Sequence, residues 1–415
     1  MAKKTPFVFE KNRFIFLPLN ANNSAKCAIF TPFTNLVVFM KWTTAPIAFL
    51  KKIVFLFLII DSTGAAAQLV PLSPKATVSV LTCATANETY ALFGHTALRI
   101  SDPEQLFDVV FNYGAFDFST PNFVAKFAKG DLQYFVVADS YSDFIQQYQS
   151  EGRSVYEQKL LLTPIVKQRL LDRLKTTLQT EERFYTYKFI DRNCTTMVVD
   201  LLNQTLGDKV IIKSKHTDSS YRSVLFPYFS NHFYEQLGTS IIFGTKVDQK
   251  ATTVFLPFEL LESLKTSRFQ NQALALPMQT LLSLAPTQPH SWWNNPYTYG
   301  ALLLLLVFCK NRKVIVCFLT FQGILGIFFL FMSVYSLHPE LAYNYNVLLF
   351  NPALLLLVYF FIQKNQKATR FIAYVLWAGF ACYTIVLFNK APFFLLLPLI
   401  SVSALLVFRI QKERF

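Results

Sequence analysis

From Tyr297 to the C terminus the chain is almost continuous hydrocarbon, and that run limits the fold more than any other feature. In lipid every backbone donor and acceptor must be satisfied internally, and an unbroken apolar run does that as helices. Charged residues cut the run into five candidate spans, near 297–309, 314–336, 348–363, 371–388 and 391–408. Some are shorter than the ~20 residues of a straight crossing, so tilt or interfacial residues must complete them. The connector Lys310–Asn311–Arg312–Lys313, the stretch Lys364 to Arg370 and the tail Arg409 to Arg414 are basic, whereas 337–347 and 389–390 carry only Lys390 between them. Basic loops stay in the cytoplasm, which puts the loop containing His338 outside, together with everything that precedes the first span.

The other end of the chain agrees. Lys51 and Lys52 precede the apolar run Ile53 to Ile60, and Ser62 to Gln68 offers small residues, so a secretory signal cut after Ala67 is expected. The plainer alternative is an uncleaved anchor. Residues 1–39 fit poorly ahead of such a signal, and a start at Met40 gives one of normal length. Three regions follow: an extension and signal at 1–67, an extracytoplasmic domain at 68–291 and a membrane domain of five helices at 292–415. Trp292, Trp293, Tyr297 and Tyr299 suit the outer interface. The composition, 53% hydrophobic and 15% charged, excludes an ordinary soluble domain. Much of the net charge of +14 flanks apolar runs, which speaks for topology and against a nucleic-acid partner.

The outer domain reads as α+β. Thr77–Thr82, Leu92–Ile100, Phe107–Tyr113 and Tyr134–Ala138 are β-branched or aromatic runs divided by turn residues such as Ser101–Asp102–Pro103. Thr120–Pro121 and Thr163–Pro164 each place a capping residue before a proline that opens a helix. Asn193 caps another helix, beginning at Cys194 and closed by Gly207.

Six cysteines over this length make no disulfide scaffold. Within the outer domain only Cys83 and Cys194 remain. At the first turn of a helix the Cys194 sulfur meets backbone N–H groups and the positive end of the macrodipole, which favour a thiolate. His95, in Phe93–Gly94–His95–Thr96–Ala97–Leu98–Arg99, is the candidate base. Asn112 on the next strand is the best-placed orienting group, with Asp108 its rival. The plainer readings are a small buried cysteine or a Cys83–Cys194 disulfide, and for Asn112 a structural role at a strand end. His216, His232 and His290 lack metal-ligand spacing, and no metal or cofactor is expected.

A strand-borne histidine, a polar strand residue and then Asn–Cys at a helix start resemble, in that order, the circularly permuted papain-like hydrolases and acyltransferases. More closely, Leu81–Thr82–Cys83, Leu92 to Arg99, Phe111 to Phe118, Arg153–Ser154–Val155–Tyr156 and Asp191 to Thr196 resemble the N-terminal periplasmic domain of the Bacteroidota lipoprotein N-acyltransferase family. His338–Pro339–Glu340, Asn344, Asn346 and Asn351–Pro352 are similar to that family's membrane portion. The resemblance implies a permuted papain-like catalytic domain in the periplasm, anchored in the bacterial inner membrane, with Cys194, His95 and Asn112 as catalytic residues. It further implies a phospholipid acyl donor and a diacylated lipoprotein acceptor meeting at the bilayer. His338, Asn344, Asn351 and Arg222 are the substrate-binding candidates, although a solvated turn at 337–347 is the plainer reading and Asn351 equally suits a structural role beside Pro352. The competing functions are a membrane-tethered cysteine peptidase or amidase of the cell wall, and a transport or assembly protein whose outer domain only binds.

Overall fold

The computed structural model describes residues 71–285 and 291–413, so the expected signal and its cleavage site lie outside the described residues. The first region is a mixed α/β domain around one sheet. Strands β1 (Thr77–Cys83), β2 (His95–Asp102), β3 (Phe107–Ala115) and β4 (Gln133–Ser140) are the four expected runs, each shifted or lengthened by a few residues. With β5 (Val155–Lys159), β6 (Phe184–Thr186) and β9 (Gln279–Leu282) they form an antiparallel sheet of order β6-β4-β3-β2-β1-β5-β9. Strands β7 (Arg268–Phe269) and β8 (Gln272–Ala273) make a separate ribbon.

Alternation along the strands feeds two cores. Val80, Leu98, Ile100, Phe111 and Tyr113 pack with helices α3 (Pro164–Gln179) and α4 (Cys194–Leu206). Leu81, Cys83, Ala97 and Val110 pack on the opposite side with α2 (Tyr141–Ser150). The caps of α3 and α4 are those the sequence announces: the Thr163 hydroxyl accepts from Val166 N–H, and the Asn193 side chain accepts from Thr195 and Thr196 N–H. Helix α1 (Phe123–Lys129) departs from expectation. It starts after Asn122 in the left-handed conformation, and Thr120–Pro121 belong to the preceding turn.

Helices α5 (Tyr221–Leu225), α6 (Phe233–Ile242) and α7 (Pro257–Thr266) complete the outer domain. The membrane domain holds α8 (Pro296–Phe308), α9 (Arg312–Tyr335), α10 (Ala353–Ile362), α11 (Gln366–Leu387) and α12 (Phe393–Lys412). Four segments among the described residues are long and apolar enough to cross a membrane: Arg312–Tyr335, Pro339–Ile362, Gln366–Leu387 and Phe393–Lys412. Helix α8, where a fifth span is expected, has 13 residues, or about 20 Å against a ~30 Å hydrocarbon core. The segment Pro339–Ile362 begins with two tight turns, Pro339–Leu341 and Tyr345–Leu348, before α10.

The two ends of the helical bundle differ. The 337–347 loop and Lys390, expected outside, both touch the outer domain. At the opposite end the basic connectors gather. Arg409 donates to the carbonyls of Val307 and Cys309, Gln366 donates to Gln411 O, and Arg312 pairs with Glu413. Helix α6 ties the domains apolarly, because Leu237, Ile241 and Ile242 pack against the bundle core.

Candidate active site

Helix α4 is aimed at the start of β2, and the two meet through a buried bond of 2.9 Å between the Thr96 and Thr195 hydroxyls. That contact sets Cys194, the first residue of α4, beside His95, the first of β2. Burial opposes ionisation of the Cys194 thiol. The His95 charge, a hydrogen bond from the His95 ring, the Thr96 N–H and the Thr195 hydroxyl more than offset it, so the thiol titrates below its usual range.

The His95 ring is held from behind. Its Nε2 lies 3.2 Å from Asn112 Oδ1, and the Asn112 amide nitrogen donates to Asp139 Oδ2 at 2.9 Å. The Asp139 carboxylate, as an acceptor, makes the Asn112 amide group point its nitrogen away from the ring and its oxygen toward it. Nε2 must then carry a proton, which leaves Nδ1 as the ring nitrogen able to take one from the thiol. Burial raises the Asp139 pKa, the Asn112 bond pulls it back, and nearby Asp143 adds repulsion. Asp108, the rival orienter, forms a fork with Arg99 at 2.6 and 2.8 Å and takes no part.

Asp139 has no signal in the linear pattern. It lies one residue beyond the run read as a strand, and only the β3–β4 register, which pairs Asn112 with Val137 and Val110 with Asp139, brings it diagonally to Asn112. Tyr185 was missed too. Its hydroxyl is buried and has no hydrogen-bond partner among the described residues. Burial and the nearby Cys194 charge hold its phenol well above the usual range, so it remains a donor. A bulge in β3 at Gly114, whose φ of +102° suits glycine, leaves a gap between the two: a Cβ at Gly114 would stand 3.8 Å from Cys194 Cβ and 3.9 Å from Tyr185 Oη.

The N–H groups expected to surround the sulfur are partly spoken for. Asn193 Oδ1 accepts from Thr195 and Thr196 N–H at 2.9 and 3.0 Å, leaving the Cys194 N–H uncommitted among the described residues. Cys83 and Cys194 are both free thiols. Cys83 packs with Phe144 and Tyr148 on the α2 side of the sheet, and burial pushes its thiol up to about 12. No three His, Cys, Asp or Glu side chains among the described residues gather as a metal-binding group.

The expected substrate-binding residues stand elsewhere, with polar atoms taken by protein partners. His338 Nε2 lies 2.9 Å from Phe127 O in α1, and Asn344 donates to Ile241 and Ile242 carbonyls at the end of α6. Arg222 donates from Nε to Asp248 at 2.6 Å and from Nη2 to the Tyr345 hydroxyl at 3.3 Å. Asn351 accepts from Ala353 N–H at 2.9 Å, the structural alternative allowed for it beside Pro352. His338, Asn344 and Arg222 thus belong to the joint between domains, reinforced where Gly244 donates to Glu340 O and lies so near Ala342 O that a Cβ would stand 2.0 Å from it. Glu340 reaches furthest. Fully buried, it accepts from Ile190 N–H at 3.0 Å, in the turn that leads into Cys194.

Residues 69–225 match the Lnb N-terminal periplasmic domain, and 290–413 match the Lnb transmembrane domain. No curated protein and no solved structure matches the chain. The first match contains His95, Asn112, Asp139 and Cys194, and the second contains the four long apolar segments found among the described residues. With both domains present in their order, the chain belongs to the Lnb family as a membrane protein with a periplasmic domain.

Proposed function

We propose that this chain is a thiol acyltransferase of the inner membrane, moving a fatty acyl chain from a phospholipid, through a thioester on Cys194, to the terminal amine of a diacylglyceryl-cysteine lipoprotein. The observation that carries the reading is a thiol of lowered pKa, backed by His95, in a domain hydrogen-bonded to the outer ends of apolar helices. We read the outer domain as permuted papain-like, since the His95 and Asn112 strands precede the Cys194 helix.

In the first half-reaction His95 Nδ1 takes the thiol proton and Cys194 Sγ attacks the ester carbonyl carbon. Cys194 N–H and the Tyr185 hydroxyl, uncommitted among the described residues, are the donors we assign to the developing oxyanion. The carbon–oxygen bond breaks, and the lysophospholipid alcohol leaves with the proton from His95. In the second, the acceptor amine attacks the thioester, its proton passes to His95, and the Cys194 thiolate leaves as the amide forms. A thioester is more reactive toward amines than the ester it came from, so the second step runs downhill.

Relative to a tethered wall peptidase, acyl transfer between two lipids explains the hydrogen-bonded joint, because both substrates arrive at one height above the bilayer. The test is mass spectrometry of the protein after incubation with phospholipid vesicles. An acyl group on the Cys194 peptide, released by hydroxylamine and missing from Cys194→Ala, is the expected result. A wild-type protein that carries no such group, or a Cys194→Ala variant that still acylates lipoprotein amines, would end this reading.

A further inference from the structure

The short helix α1 has no buried residue. Val124 is 76% exposed, Phe127 46%, and Phe118, just before the helix, 62%, so a water-facing surface would carry an apolar cluster at some cost. Its placement removes that difficulty. Leu337 N–H donates to Lys129 O at 2.7 Å, the Ser336 hydroxyl donates to Ala128 O at 2.8 Å, and His338 meets Phe127 O. Helix α1 is thus bonded to the residues that end the apolar helix α9. That helix end is itself exposed and apolar, through Phe331, Val334, Tyr335 and Leu337. The lipid-facing surface of the membrane domain therefore continues onto α1. Exposed Lys126 adds a cation to this surface, of the charge that lipid phosphate groups attract.

From this surface a chain of rings runs inward. Phe118 and Phe123 lie 5.0 Å apart, Phe116 is 4.8 Å from Phe118 and 5.2 Å from Tyr134, and Tyr134 is 6.3 Å from Tyr185 beside the thiol. We propose that α1 and Phe118 form a lip that inserts into the outer leaflet of the bilayer, and that the phospholipid donor leaves the membrane there, its acyl chain following the aromatic row to Cys194. The uptake part rests on the acyl-enzyme reading above, whereas insertion of the lip stands without it.

The full chain in vesicles tests both parts. In a chain whose native tryptophans are replaced by phenylalanine, a tryptophan placed by Val124→Trp should be quenched by phospholipids brominated near the headgroup end of the acyl chains at least about threefold more than one placed by Ile165→Trp, a position 71% exposed. Equal quenching at the two positions overturns insertion and would leave the patch to a protein partner. Val124→Asp, which puts a charge where lipid should be, should slow acylation of Cys194 from vesicle phospholipid at least about tenfold. In the same variant the water-soluble alkylating agent iodoacetamide should modify Cys194 at the wild-type rate. Acylation at the wild-type rate overturns uptake at the lip, and slowed alkylation assigns the loss to a damaged site and overturns it too. If the unmodified protein forms no acyl-enzyme, the acyl-enzyme reading falls and takes uptake with it, while the quenching still decides insertion.

Discussion

The surroundings of Cys194 and the joint around Asp248 use the same kinds of side chain and end in opposite states of satisfaction. Asp248 accepts from Arg222 at 2.6 Å, from Tyr345 at 2.7 Å and from Lys390 at 3.0 Å, so one carboxylate joins the buried Arg222 of the outer domain to two separate loops of the membrane domain. Asn346, also buried, donates to Ser240 and Phe243 carbonyls and accepts from the Tyr383 hydroxyl. Around Cys194 two donors, the Cys194 N–H and the Tyr185 hydroxyl, are left without partners among the described residues. An unpaired buried polar group costs about 1–3 kcal/mol, and beside a reactive thiol a spare donor is one that chemistry can use. In the acyl-transfer reading proposed above, the joint would hold the site in place, and the two unpaired donors would meet the charge that develops during reaction.

Variants on the two sides should therefore fail differently. The largest effect is expected from His95→Ala, which removes the chief influences lowering the thiol pKa and leaves burial, which raises it. The alkylation midpoint of Cys194 should move from below the ordinary value to above it, so the reactive thiolate fraction near neutral pH falls and recovers only as pH rises. The alkylation rate at neutral pH should drop about a hundredfold, read by mass spectrometry of the Cys194 peptide across a pH series. An unmoved midpoint would remove His95 from its role.

Next in size is Arg222→Met, which strips Asp248 of its closest cation. Breaking a buried pair costs about 3–5 kcal/mol, discounted here because Lys390 remains, so a loss of about 2–3 kcal/mol is expected as a lower unfolding midpoint in detergent. Alkylation of Cys194 should change little while the protein stays folded. If site and joint instead fell together, the division drawn between them would be wrong.

Smaller again is Asn112→Ala. The ring loses its orienting partner while the fold stays intact, and Cys194 acylation should slow about tenfold with the unfolding midpoint unchanged. The smallest effect is expected from Asp139→Ala, which acts one residue further back through the Asn112 amide, so a loss of about threefold is expected. A loss larger than that of Asn112→Ala would show that Asp139 acts by its charge and not through the amide.

The capped helix starting at Cys194, its closing Gly207 and the four β-runs were legible because local rules write them: capping geometry, the αL preference of glycine and alternation need no distant partner. Helix α1 was misread at its start because Thr120–Pro121 satisfies the same local rule without becoming the cap. His95 and Asn112 could be named as candidates because each stands on a recognisable strand. Asp139 could not, since the β3–β4 register decides its neighbour.

The loop around His338 marks the deeper boundary. Its polar residues and outward side follow from apolar length and the placement of basic residues, which are properties of the chain alone. Whether those polar groups face solvent, substrate or protein depends on what another part of the chain brings to them. Here the carbonyls of α1 and α6 arrive from more than a hundred residues away and take His338 and Asn344 into the joint. Hydrogen-bond demand is written in a sequence one residue at a time, whereas its satisfaction is a property of pairs, and distant pairs exist only once the chain has folded.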